Sequence, residues 1–152
     1  MRKTLVVALI GAMAAGAMVG GATLALAQGD VIAQRIQNRK DSGAEMRAIK
    51  GIIDAKGPTS GATKHAAKLK ELEMAFVKMF PAPPAADAKT RALPAIWSDA
   101  AGWQAAHKAH DDAIDKLAVA AGSGDLAALT VAHGDVGKSC GACHTKFQAK
   151  AP

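Results

Sequence analysis

Aromatic residues are scarce in this chain. Its 152 residues include two tryptophans, three phenylalanines and no tyrosine. There is also no dense Arg/Lys cluster, so the footprint of a nucleic-acid binder is missing. No convincing strand pattern occurs, which leaves an all-α reading. No nucleophile–base pair and no paired carboxylates can be recognised, so the residues point away from an enzyme. Cysteine is nearly absent: Cys140 and Cys143 are the only two.

What is present begins with a leader. Arg2 and Lys3 precede an uncharged run over residues 5–25, rich in Ala, Gly and Met. It closes on Ala25-Leu26-Ala27, small residues flanking a cut before Gln28. Residues 1–27 therefore read as a cleaved signal peptide; the alternative is an uncleaved anchor helix, for which the run is long enough. Residues 28–152 suit a single small domain with its own core. Losing Arg2 and Lys3 lowers the formal charge from +6 to +4. That mild surplus suits solubility and attraction to acidic partner proteins.

Four helical segments follow from the spacing of apolar residues. The first, over 30–55, carries Val31, Ile32, Ile36, Met46, Ile49, Ile52 and Ile53 at three-to-four spacing. Gly57-Pro58 ends it. The second, over 60–80, has the stripe Ala62, Ala66, Leu69, Leu72, Phe76 and Met79. Pro81, Pro83 and Pro84 open a linker that runs to Pro94. The third helix starts near Ile96, and Gly122-Ser123-Gly124 is a turn. The fourth, over 125–150, has Leu126, Leu129, His133, Val136, Cys140, Cys143 and Phe147 on one face. These elements predict an antiparallel four-helix bundle. With so much alanine and so few aromatics, its interior calls for a bulky non-protein filler.

Cys140-Gly141-Ala142-Cys143-His144 says what that filler is. Two thiols one helical turn apart match the two vinyl groups of a haem, and the next residue can present an imidazole to the iron. The pattern is that of c-type haem attachment, with His144 as proximal iron ligand. A disulfide between residues so placed would be strained. A structural zinc site would need two more ligands; His107, His110 and His133 could supply them, but no second close-spaced pair exists. A thioredoxin-like redox pair would need a βαβ context that is missing.

With these residues in view, the chain resembles the cytochrome c′ family and its methionine-ligated low-spin c-556 type relatives. The resemblance is carried by residues 94–101, 124–129 and 134–144, and by residues 35–46 of the first helix. It implies a periplasmic four-helix bundle with one covalent haem c near the C-terminus, and a homodimer through the first two helices. It also implies that Arg35 reaches a haem propionate and that position 39, one turn on, faces the iron. Leucine or phenylalanine at that position leaves the iron five-coordinate in the family, and methionine completes it. Here the residue is Arg39, on the same stripe as Ile32, Ile36, Gly43, Met46 and Ile53.

Two placements of Arg39 stay open. It bends out to solvent along its aliphatic stem, or it stays over the iron and hydrogen-bonds to whatever binds there. It cannot ligate while protonated. Lys40 would ligate only if deprotonated, and Met46 lies about 10 Å along the helix, too far for that role. Gln148 stands where the family often has Arg or Lys, and Phe80 with Trp97 or Trp103 should pack near the haem. The expected function is one-electron transfer to periplasmic redox partners through lysine-rich contacts. The alternative is binding of nitric oxide or carbon monoxide at a five-coordinate iron; a peroxidase is a remote third.

Overall fold

The computed structural model describes residues 19–84 and 89–150, with side chains from residue 30 onward. Five α-helices occur: α1 (Val19–Asp54), α2 (Thr63–Phe76), α3 (Ala95–Ser98), α4 (Ala100–Gly122) and α5 (Leu126–Phe147). The long ones, α1, α2, α4 and α5, form the expected four-helix bundle, and α3 is a single turn before α4. No helix among the described residues is long and apolar enough to cross a membrane. Most of the leader expected over residues 1–27 lies outside the described residues.

The helix ends follow local chemistry. α1 is already helical at Val19, the first described residue and well before Asp30, because the Ala- and Leu-rich residues 22–27 continue it without a breaker. It ends with Lys56 at φ +50°, and the Gly57 amide reaches back to the Ile52 carbonyl at 3.0 Å, satisfying an otherwise orphaned acceptor. α2 is flanked by 3₁₀ turns at Thr59–Ala62 and Val77–Met79. Asp99 caps α4 by accepting from the Gly102 amide, and Asp125 caps α5 by accepting from those of Ala127 and Ala128. Between them Gly124 adopts φ +78°, a conformation that glycine takes without strain.

The bundle is solid at one end and hollow at the other. Ile49, Ile114, Leu117, Leu129 and Val136 are fully buried at the solid end. Half of that cluster is alanine: Ala62, Ala66, Ala113, Ala120, Ala121 and Ala132. These residues come from the C-terminal parts of α1 and α4 and the N-terminal parts of α2 and α5. Antiparallel packing brings those parts together, and small side chains let the helix axes approach closely. The opposite ends of the same helices, with the segment around residues 89–92, surround a cavity.

Leu117 is inaccessible to solvent and sits where alanine neighbours cannot collapse inward. Leu117→Ala in the haem-loaded protein should lower stability by about 2–5 kcal/mol. Chemical denaturation followed by helical circular dichroism measures it; a loss well below that range would show that the alanine-rich end re-packs.

Candidate functional site

The hollow end encloses about 690 Å³, within the usual range of small-molecule sites of about 300–1,000 Å³. Its walls are mostly apolar. All five aromatics of the chain form one connected cluster beside it. Phe80 stacks edge-on to Phe76 and Trp103, Trp103 does so to Phe147, and Trp97 lies 6.2 Å from Phe80 between ring centres. Phe76, Phe80, Trp103 and Phe147 line the cavity directly. Ile36 is 51% exposed although it faces inward on this wall, an apolar surface left for an apolar occupant to cover.

α5 contributes the reactive groups. Cys140 and Cys143, one turn apart, and His144 all line the cavity. Both cysteines are unpaired. Burial pushes both thiols up, Cys143 to about 11, so they stand as neutral thiols. Burial, then the charges of Arg91 and Arg39, hold the His144 imidazole below its ordinary value, which favours the neutral form a metal ligand requires. The end of α5 is pinned where the Leu93 amide donates to the Phe147 carbonyl at 3.0 Å and that of Ala149 to the Arg91 carbonyl at 2.8 Å. Gln148 also reaches the cavity wall.

Arg35 and Arg39 both project from α1 into the wall. Arg35 is buried, its guanidinium 4.5 Å from the centre of the Phe80 ring. Its Nη1 is buried without a hydrogen-bond partner, which carries a desolvation cost unless something accepts from it. A carboxylate of a bound group would supply that acceptor. Two cavity-facing thiols at thioether spacing, a neutral imidazole beside them, an apolar aromatic chamber and an unmet guanidinium together fit a covalently attached haem. Cys140 and Cys143 would carry the thioether bonds, His144 the iron and Arg35 a propionate.

Arg39 neither bends out to solvent nor stands unattended in the cavity. Its Nη1 donates to Glu73 Oε2 at 3.0 Å, and its Nε donates to Asn38 Oδ1 at 3.0 Å. Asn38 is itself tied down, its Nδ2 donating to the Leu72 carbonyl at 2.9 Å. The guanidinium lies over Phe76, 3.7 Å from the ring centre. Glu73 is the centre of this group, with its side chain 3% exposed. His107 Nδ1 donates to its Oε1 at 2.7 Å, and His110 Nε2 lies 3.6 Å from its Oε2. His110 Nδ1 in turn donates to the Ser139 hydroxyl, whose own proton goes to the Val136 carbonyl.

Sequence reading missed Glu73 and Asn38. The signal for Glu73 was there: 66, 69, 73, 76 and 80 follow helical spacing, so a carboxylate stands on the apolar stripe of α2. His107 and His110 prove to be packed histidines whose Nδ1 atoms have partners, while His107 Nε2 is buried without one. His133 Nε2 donates to the Met46 carbonyl at 3.0 Å, away from the cavity, and Met46 packs against the solid core. Lys40 is exposed at the cavity wall.

A family model described as cytochrome c′ matches residues 30–148. The chain is 34% identical over 143 residues to a cytochrome c′ of Rhodopseudomonas palustris, covering 90% of this chain and 93% of that one. It is 48% identical over 61 residues to the cytochrome c′ of Rubrivivax gelatinosus, covering 40% of this chain and 47% of that protein; the matched stretch thus spans about half of that relative. Among solved structures, a nitric oxide complex of a cytochrome c′ variant from Alcaligenes xylosoxidans superposes with a TM-score of 0.73 at 30% identity, covering 82% of this chain and 97% of that one.

Burial holds His110 below the ordinary imidazole value. For Glu73, burial alone would raise the carboxyl, but the His107 hydrogen bond and the Arg39 charge outweigh it and bring it below the usual range. Both groups bind protons more readily in the unfolded chain, so the stability they supply is lost as pH falls. For His110 that loss sets in below the unfolded imidazole value of about 6.5. Urea denaturation should therefore show stability declining from neutral pH toward about pH 5.5. His110→Asn should flatten part of that decline; an unaltered profile would mean that His110 is already protonated in the fold.

Proposed function

The chain belongs to the cytochrome c′ family, which carries haem c covalently, and on that premise we propose that it binds a neutral diatomic gas such as nitric oxide or carbon monoxide at a five-coordinate haem iron held by His144. Bound haem supplies an iron atom with one position for an exogenous ligand and the ability to change charge by one electron. The residues of the chain do the rest. Cys140 and Cys143 would tether the group, Arg35 would pair with a propionate, and Phe76, Phe80, Trp103 and Phe147 would give it apolar contact.

The observation that carries this reading is the lack of a methionine ligand at the cavity, the residue that completes the iron in the low-spin relatives. No methionine is among the described residues that line the cavity. Of the polar groups on the α1, α2 and α4 walls, Arg39 Nη1 and His107 Nδ1 are committed to Glu73 and His110 Nδ1 to Ser139, while His107 Nε2 is buried without a hydrogen-bond partner. Beside Arg39, α1 offers Ile32 and Ile36 to the cavity, with Arg35 and the exposed Lys40 at its wall. The nitric oxide complex of the structural neighbour is consistent with this use. The leader over residues 1–27 would place the activity in the periplasm.

One-electron transfer is the second reading, and a specific feature favours it. Lys40, Lys89 and Arg91 are all exposed and all border the cavity. A basic rim at the edge of a redox centre would steer an acidic partner toward it.

The absorption spectrum of the purified holoprotein separates the two. Gas binding requires a five-coordinate high-spin spectrum whose ferrous form shifts on adding carbon monoxide. A low-spin six-coordinate spectrum that ignores carbon monoxide would leave electron transfer as the function.

A further inference from the structure

An arginine on the cavity wall of a gas-binding haem protein poses an electrostatic problem. An uncompensated cation there draws anions toward a ferric iron that is itself positively charged. This chain does not leave Arg39 uncompensated. Glu73 reaches it across the α1–α2 interface, and Asn38, fixed to the Leu72 carbonyl, holds the other edge of the guanidinium. Phe76 backs the plane. The fork is thus latched against the wall, and its charge is met by a carboxylate that is itself buried.

We infer that Glu73 sets the charge selectivity of the cavity: by holding Arg39 in an internal ion pair it lets neutral diatomic ligands bind and turns away small anions. The inference rests on the gas-binding reading and names the residue that gives it its ligand class. Glu73 acts as a positioning residue, through Arg39 rather than by touching the ligand. Glu73 is buried and Arg39 is 28% exposed, and partly buried pairs are screened less by salt than exposed ones. His107 secures the carboxylate from the opposite side at 2.7 Å. Its hydrogen bond keeps Oε1 occupied and leaves Oε2 for the arginine. His110, uncharged at neutral pH because burial lowers it, adds no second cation to the group.

The test uses the haem-loaded protein at one neutral pH and reads two dissociation constants: azide for the ferric form and carbon monoxide for the ferrous form. Glu73→Gln keeps the shape but removes the charge, so the ratio of azide affinity to carbon monoxide affinity should rise about tenfold or more. Adding Arg39→Leu to that variant should cancel the gain, because the freed cation is gone. Glu73→Asp, which keeps the charge, should hold the ratio near that of the parent protein. A Glu73→Gln protein that is folded and binds carbon monoxide, yet shows an unchanged ratio, overturns the inference. Should Glu73→Gln fail to fold, the parent protein still decides: saturation of its ferric form by millimolar azide would overturn the inference, and indifference to it would support it. Should the ferrous parent protein not bind carbon monoxide at all, the gas-binding reading falls and this inference falls with it.

Discussion

Alanine sets the terms of this fold. Where Ala62, Ala66, Ala113, Ala120, Ala121 and Ala132 meet, four helices can approach closely enough that Ile49, Leu117, Leu129 and Val136 fill the space that remains. Bulky residues are not repeated along the helices. The chain's aromatics instead gather at the far end, where the helices part around an enclosed volume. Apolar wall surface such as that of Ile36, half exposed here, is costly to leave to water, so the hollow end is complete only with a large apolar body inside it. Placing the two thiols and the imidazole on that same end of α5 makes the body a covalent part of the core.

The charged cluster beside the cavity belongs to the same logic. Burying a carboxylate costs several kcal/mol unless partners meet it. Glu73 therefore fixes the positions of its neighbours: a guanidinium from α1 and an imidazole from α4 must arrive at its two oxygens. Three helices are locked in register at the end of the bundle where apolar packing is thinnest. Removing one member would strand another, which is why the cluster is better understood as one unit than as a sum of pairs.

Much of this was legible beforehand, and the reasons differ by element. The helices could be read because each carries an apolar stripe with clear breaks, at Gly57-Pro58, at residues 81–84 and at Gly122–Gly124. The attachment site could be read because Cys140, Cys143 and His144 are adjacent in sequence, so their chemistry needs no knowledge of the fold. Glu73 could not be read that way. Its partners Arg39 and His107 each lie 34 residues off, in opposite directions, and only the packing of α1 and α4 on α2 brings them together. The start of α1 was placed too late because an amphipathic pattern marks where a helix is packed, not where the backbone stops being helical.

The two arginines of α1 show how far partners, rather than residue type, decide a role. Arg35 and Arg39 stand one turn apart on the same helix face and both reach the cavity wall. Both lie against a phenylalanine, at 4.5 and 3.7 Å from the ring centres. Yet Arg35 keeps a buried Nη1 with nothing to accept from it, while Arg39 is met by Glu73 and Asn38. A buried guanidinium that lacks an acceptor is a receptor for an anion, and a propionate is the anion that the attached group brings. A guanidinium already met by a carboxylate has little attraction left to offer. On the function proposed above, one turn of helix separates an arginine for the cofactor from an arginine withheld from the ligand, and the difference lies in a carboxylate on the neighbouring helix.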